Sequence, residues 1–429
     1  MALQVEAYDH VDTSGGFEEY RLRENGLQVL LCAEGVAPVV TVMVTYRAGS
    51  GDEAPGETGG MHFLEHVMFK GTDRYNKRRG TSVIDMLQSV GAQVNATTSK
   101  DRTNYYAVLP VEHMELVIDI EADRMRGLLL NAVDIEAERT VILNEMDRAE
   151  NDPLGNMYRL LWSTAYRSHP YGHPTLGWRD DVEAMTVEGL RRLYDTHYWP
   201  DRATISVIGD VEATQALRLI AERFSNVPPC PHRTEIGRAS EPDQVSERRF
   251  TTQASAYLAA VMIGFKIPET LHPDSEALAM LAGLLSGGKS SRLYRRCTDQ
   301  GLTAHVSARM TPARDPSLFE CMAILSPGRT HEEVEAAIVE EIGRVCAEGV
   351  TVEELQRVRN QLRAAEAFSR DGSFAMAAPL NEAVAAGDWR LFTTFRERLE
   401  RVTAQDVQRV AQAHLASHVQ TTAWLIPEA

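Results

Sequence analysis

Two histidines stand four residues apart, with a glutamate between them, in Gly59-Gly60-Met61-His62-Phe63-Leu64-Glu65-His66. On an α-helix positions i and i+4 lie one above the other, so both imidazoles aim at one point. Neutral imidazole nitrogen binds zinc at about 2.0 to 2.1 Å, and such a pair meets that geometry without bending the backbone. Glu65 lies three residues after His62 on the same face, where it can take a proton from water without binding the ion itself. The chemistry these residue types imply is metal-assisted hydrolysis. The alternative is a pair of surface or structural histidines, although a His-x-x-Glu-His pentamer arises by chance only about 0.03 times in a chain of this length.

A catalytic zinc keeps three protein ligands and one open position, so a third ligand must come from elsewhere. Residues 134–145 read as a helix that offers Glu138 and Glu145. Seven residues are nearly two full turns, so both carboxylates project from one face, with Val141 and Ile142 expected to pack inward. On the residues alone, surface ion pairs such as Glu145 with Arg148 are the competing reading.

These helices need a frame. A chain of 429 residues exceeds what one hydrophobic core organises, so two domains are expected. Apolar and polar alternation with intervening turn signals predicts strands at 18–23, 27–33, 39–47, 93–98, 103–109 and 203–208. Helical periodicity predicts helices at 59–70, 82–90, 112–130, 134–150, 154–167, 187–197 and 212–224. The polar, proline-rich stretch 228–244 reads as a linker. The expected division is a first domain at 1–228, a linker at 229–246 and a second domain at 247–429. The second half repeats the order in outline: strands within 250–265, helices at 273–285 and 291–300, strands to about 324, helices from 331, and a closing strand at 421–425. The class is α+β, with the halves related as a duplication.

A formal net charge of −17 argues against general affinity for nucleic acid or an anionic membrane, and suits peptides carrying Lys or Arg. Cys32, Cys230, Cys297, Cys321 and Cys346 form no Cys-x-x-Cys pair, which indicates neither a thiolate zinc site nor a disulfide framework. The sequence has no apolar run long enough to span a membrane. The start, Met1-Ala2-Leu3-Gln4, lacks the basic and apolar regions of a secretory signal. A soluble protein is expected, with cytoplasm and periplasm both open.

Taken together, the motifs resemble the pitrilysin or insulinase family of zinc peptidases, in which His-x-x-Glu-His, the inverzincin motif, is followed at a distance by a glutamate ligand. Glu145 stands at the matching place. Further family-like stretches are Gly91-Ala92-Gln93-Val94-Asn95-Ala96-Thr97-Thr98, Asn151-Asp152-Pro153, His169-Pro170-Tyr171-Gly172-His173-Pro174 and Tyr198-Trp199-Pro200, with a thinner likeness around Ser286-Gly287-Gly288-Lys289. The resemblance implies zinc as cofactor, held by His62, His66 and Glu145, with Glu65 accepting a proton from the attacking water and returning it to the leaving amine. It makes Glu138 an auxiliary acid that supports the site. It implies two homologous domains, each an antiparallel-rich sheet with a layer of helices, forming half of a clamshell. The strand at 93–98 becomes the edge to which an extended substrate peptide adds, with Asn95, Ala96 and Thr98 as substrate-binding positions.

Family members active as one chain or as identical subunits carry, in the second half, an arginine and a tyrosine that stabilise the oxyanion. Thr298 and Ala304 occupy those places here. The chain therefore resembles the zinc-bearing subunit of a bacterial two-subunit peptidasome or the beta type of the mitochondrial processing peptidase, where a homologous partner supplies the pair. The alternatives are a self-sufficient homodimer using Arg295, Arg296 or His305, and a non-catalytic, chaperone-like core subunit.

Overall fold

The strands that organise the chain are short apolar runs; Val39–Tyr46, for example, is buried at every position but its first. Such a strand is covered on both faces. In the computed structural model, which describes residues 6–35, 37–231, 237–254 and 258–428, two sheets form among the described residues. The first contains β1 (Tyr8–Ser14), β2 (Phe17–Leu22), β3 (Gln28–Cys32), β4 (Val39–Tyr46), β5 (Gln93–Thr98), β6 (Thr103–Pro110) and β7 (Ala203–Gly209), in the order β1-β2-β3-β7-β4-β6-β5. The second contains β8 (Arg248–Ala254), β9 (Ala260–Ile267), β10 (Thr303–Met310), β11 (Ser317–Leu325) and β12 (Thr421–Pro427), in the order β10-β11-β9-β12-β8.

The helices in chain order are α1 (Gly60–Val67), α2 (Val83–Ser89), α3 (Met114–Gly127), α4 (Ala132–Glu150), α5 (Pro153–Ala165), α6 (Arg179–Ala184), α7 (Val187–His197), α8 (Ala213–Phe224), α9 (Ser275–Ser286), α10 (His331–Glu348), α11 (Val352–Phe368) and α12 (Ser373–Ala386), followed by shorter turns of helix and a last helix at Ala404–His414.

The duplication is visible in the topology. In chain order, β3-β7-β4-β6-β5 and β8-β12-β9-β11-β10 both run first, fifth, second, fourth, third. In each, the first and fifth strands pair parallel, and the other neighbours pair antiparallel. The class is α+β, as expected, with antiparallel pairing dominant. The insertion between the second and third strands is α1 and α2 in the first sheet, and α9 and a π-helical turn (Tyr294–Thr298) in the second. Where α1 carries His62, Glu65 and His66, α9 reads SEALAMLAGLLS and offers no comparable set.

The chain groups into two compact units, one made of 1–146, 174–238 and 368–394, the other of 147–173, 239–367 and 395–429. The passage from the first to the second at 238/239 falls inside the expected linker, of which 232–236 lie outside the described residues. Two segments are exchanged. In the first unit, α12 packs Met376, Ala377, Leu380 and Val384 against Leu30, Cys32, Met43 and Ile208 on one face of the sheet. Its other face carries Val29, Leu31, Val42, Val44, Ile205 and Val207 into the main core with Met61, Phe63, Val117, Ile118 and Ile142. In the second unit, α5 likewise packs Met157, Leu161 and Trp162 against Ala260, Met262, Ala423 and Leu425.

Two local expectations differ from what forms. The helix expected at 291–300 is mostly the π-helical turn. β1 was not expected, because Asp9, His10, Asp12 and Thr13 give it no apolar alternation and most of it is exposed. The strands expected within 250–265 form as β8 and β9, with 255–257 outside the described residues. Among the described residues no helix is long and apolar enough to cross a membrane.

Candidate metal centre

α1 is only eight residues long, so its entry must be fixed from outside. Gly59 precedes it with φ of +83°, and a Cβ there would lie 2.5 Å from the Leu176 carbonyl oxygen. The buried Glu53 carboxylate accepts N–H hydrogen bonds from Gly59 at 2.9 Å and Met61 at 2.7 Å. These are donors that a helix start leaves unmatched, and an anion there is also favoured by the helix dipole. Met61, Phe63, Leu64 and Val67 are buried beneath the helix, which leaves His62, Glu65 and His66 to turn together toward α4 and β5.

α4 is anchored by Ile135, Glu138, Ile142 and Met146, its buried stripe. Val141, expected inside, is 48 % exposed. The stripe advances by three and four residues, and Val141 falls one residue, about 100° at 3.6 residues per turn, off it. Arg139 ties the helix down by donating to the Met185 carbonyl at 2.7 Å and lying 5.6 Å from the Phe63 ring centroid. No ion pair joins Glu145 to Arg148 among the described residues.

The result is convergence. Glu145 Oε2 lies 3.7 Å from His62 Nε2 and 3.6 Å from His66 Nε2. Three ligand atoms placed tetrahedrally at 2.1 Å from zinc would be about 3.4 Å apart, so adjustments of a few tenths of an ångström would close the set. Among the described residues, these three form the single group of His, Cys, Asp or Glu whose donor atoms all lie within 4.8 Å of one another. Glu65 stands outside that group, and its Oε2 accepts a hydrogen bond from the Thr98 hydroxyl at 2.6 Å.

Glu138 meets the same histidine from behind. His66 Nδ1 donates to Glu138 Oε2 at 3.1 Å, and Lys70 Nζ contacts Glu138 Oε1. A proton held on Nδ1 leaves the Nε2 lone pair free to face the cluster.

The electrostatics suit a cation. Burial, with a smaller contribution from the neighbouring His66, pushes the His62 imidazole down to about 3, so it is neutral and able to donate its lone pair at any ordinary pH. Burial also disfavours charge on His66, but its hydrogen bond to Glu138 and the nearby Glu65, Glu138 and Glu145 outweigh this and raise its pKa. Burial raises the Glu65 carboxyl above the usual range, opposed by the Thr98 hydrogen bond and by His66. Burial works the same way on Glu138, yet His66 and Lys70 together pull it below the usual range.

The expected substrate positions fall on β5, the open edge of the first sheet. Alternation divides them. Ala96 is buried, while Asn95 is exposed on the same face as Thr97, whose hydroxyl meets Asn104 Oδ1 and the Arg102 guanidinium. Asn95 therefore points away from the face on which Thr98 meets Glu65, and its Oδ1 accepts the Ala96 N–H. In the second half, Thr298 hydrogen-bonds Thr303 at 3.0 Å, Ala304, Arg295 and His305 are exposed, and Arg296 pairs with Glu340. Lys70, Glu53 and the Thr98 contact were not foreseen. Lys70 follows His66 by four residues, a spacing that could have flagged it, whereas Glu53 and the contact made by Thr98 depend on tertiary register alone.

Residues 28–178 match the family described as Insulinase (Peptidase family M16), and residues 184–362 match the Peptidase M16 inactive domain. The chain is 27 % identical over 415 residues to the zinc protease PqqE of Helicobacter pylori, covering 94 % of this chain and 91 % of that one. It is 29 % identical over 403 residues to the probable mitochondrial-processing peptidase subunit beta of Arabidopsis thaliana, covering 91 % of this chain and 75 % of that one. The crystal structure of a protease from Helicobacter pylori superimposes with a TM-score of 0.89 at 27 % identity, over 96 % of this chain and 99 % of that one. A putative M16-like peptidase from Alicyclobacillus acidocaldarius shares the fold, with a TM-score of 0.84 at 21 % identity and the whole of both chains covered. Two adjoining stretches matching one family, joined to one shared fold along nearly the full length, place the chain in the insulinase family of M16 peptidases.

Proposed function

We propose that the chain is a zinc-dependent endopeptidase that hydrolyses extended or unfolded peptides, and that it works as the catalytic subunit of a heterodimer. The observation that carries this reading is the meeting of His62, His66 and Glu145 beside an acid, Glu65, that belongs to no ligand group. His62, His66 and Glu145 would hold the ion. Zinc in such a site supplies Lewis acidity and lowers the pKa of water toward about 7. Glu65 takes the proton of the attacking water and delivers it to the leaving amine. Glu138 keeps the proton of His66 on Nδ1 and so orients that ring. The unpaired edge of β5 offers main-chain N–H and C=O groups to a substrate strand, with Asn95 and Ala96 contributing backbone rather than side chain.

The partner requirement rests on the second half. Ala304 has no side-chain donor and the Thr298 hydroxyl is engaged with Thr303, so the pair does not replace an arginine and a tyrosine at a developing oxyanion. A lost donor of that kind costs about 100- to 1000-fold in rate. A homologous subunit carrying an arginine and a tyrosine would restore it. The similarity to a protein named as a beta subunit supports the same reading.

The test is metal analysis together with cleavage of a quenched peptide, by the chain alone and with a homologous partner. The expected result is bound zinc, weak cleavage alone and strong cleavage with the partner. Glu65→Gln should retain zinc and lose about 10²- to 10⁴-fold in kcat. Full activity alone would remove the heterodimer. Zinc-loaded protein inactive even with its partner, or an unimpaired Glu65→Gln variant, would remove the peptidase.

A further inference from the structure

The strand at the edge of the first sheet does more than offer a place for substrate. Val94, Ala96 and Thr98 share the face of β5 on which Thr98 meets α1, and the Thr98 hydroxyl reaches Glu65 Oε2 at 2.6 Å. Among the described residues this is the one hydrogen bond that the Glu65 side chain makes. The donor is held firmly. Thr98 pairs with Thr103 of β6; Thr103 is fully buried and donates its hydroxyl to the Ala48 carbonyl at 3.0 Å. The turn is closed by the Ser99 N–H on the Arg102 carbonyl at 2.8 Å. A β-branched side chain on such a strand has little χ1 freedom, so the hydroxyl has a fixed direction.

Glu65 has no such constraint of its own. The last torsion of a glutamate is broad and roughly two-fold, which leaves the plane of its carboxylate unset by the backbone. A hydroxyl that donates to one oxygen sets that plane and occupies that oxygen. From this geometry we infer that Thr98 is a positioning residue for Glu65: it engages Oε2 and leaves Oε1 as the atom that takes up the proton. This replaces the substrate-contact role expected for Thr98. It rests on the reading of Glu65 as the proton acceptor. It also connects the two tasks of the site, because the strand whose free edge receives a peptide is the strand whose other face aims the acid.

The test compares Thr98→Val, which keeps the shape and removes the donor, with Thr98→Ser, which keeps the donor. With protein and partner under conditions where wild type cleaves, Thr98→Val should lower kcat by about 10- to 100-fold, a part of the roughly 10²- to 10⁴-fold that a general base supplies. KM and bound zinc should stay unchanged, and Thr98→Ser should recover most of the rate. A second readout needs no turnover. In metal-free protein labelled with ¹³Cδ-glutamate, the resonance missing from Glu65→Gln identifies Glu65. That resonance should shift in Thr98→Val and return in Thr98→Ser. Raised KM with unchanged kcat in Thr98→Val would make Thr98 a substrate contact and overturn the inference. So would an unmoved resonance. If wild type cleaves nothing with any partner, the peptidase reading falls, while the resonance still decides whether Thr98 orients Glu65.

Discussion

At the scale of single residues, the site is a set of local spacings completed by long-range contacts. His62, Glu65 and His66 could be read directly because one turn of helix fixes their relation, whatever surrounds it. Glu145 could only be proposed, since its approach to within 3.7 Å of the rings depends on how α4 lies over α1. Lys70 was not read at all. Its ammonium neutralises Glu138, the carboxylate that holds His66 Nδ1, and so reaches the His62, His66 and Glu145 cluster through two intermediaries. Lys70→Met would leave Glu138 with less reason to stay ionised, because Lys70 is among the groups that pull its pKa down. The hold on His66 should slacken. Supporting contacts of this kind are worth about 10- to 100-fold in metal affinity, and the expected loss for Lys70→Met is about 10-fold, at the lower end, because His66 itself still engages Glu138. Competition with a chromophoric zinc chelator measures it. Affinity equal to wild type would show that Glu138 needs no help.

At the scale of elements, the strands and most helices were legible because their periods were clean; β5 and α7 form at the residues expected, Gln93–Thr98 and Val187–His197. What failed had weak or misleading periods. β1 is polar and at an edge, and Val141 is apolar yet outside its helix's buried stripe. The stretch read as a linker hides a third case. Glu241 lies among prolines and polar residues, yet its side chain is only 9 % exposed. Its Oε2 accepts N–H groups of Arg167, Ser168 and His169 at 2.9, 2.8 and 3.1 Å, and its Oε1 meets Lys266 of β9 at 2.7 Å. It thereby fastens the turn that follows α5 to the second sheet. Burial opposes the charge, but Lys266 and the three N–H donors outweigh it and hold the carboxyl down to about 2. A folded pKa below the unfolded value of about 4.3 gives stability that is complete above the unfolded pKa and fades as pH falls toward 2. Glu241→Gln should therefore lower the Tm of the second unit near neutral pH, and the gap from wild type should narrow between about pH 4 and pH 2. A gap that stays constant across that range would mean that the loss is one of packing rather than of charge.

At the scale of the whole chain, each half completes its sheet with a helix from the other. The topology of the two sheets announces a duplication that the sequence showed only in outline, but the exchange of α5 and α12 left no trace in composition, because a helix that covers a foreign sheet needs the same apolar stripe as one that covers its own. The consequence concerns independence. Without 368–394 the first sheet would present Phe17, Leu30, Met43 and Ile208, all at most 1 % exposed in the intact chain, to solvent. It would also lose the Trp389 indole that donates to Glu19 at 2.7 Å, and Asn381, whose side chain meets Thr45 at 2.5 Å. A cut after residue 238 would in addition leave α5 with Met157, Leu161 and Trp162 uncovered, because Ala260, Met262, Ala423 and Leu425 lie beyond it. Apolar surface of that extent drives association. A fragment ending at residue 238 should accordingly aggregate or lack a cooperative thermal transition when expressed alone, although it contains His62, Glu65, His66 and Glu145. Co-expression with 239–429 should yield a soluble non-covalent pair, because the second fragment brings α12 to the first sheet and receives α5 in return. Gel filtration and near-ultraviolet circular dichroism read both outcomes. A monomeric 1–238 fragment that unfolds cooperatively would show that the exchanged helices decorate units already stable without them.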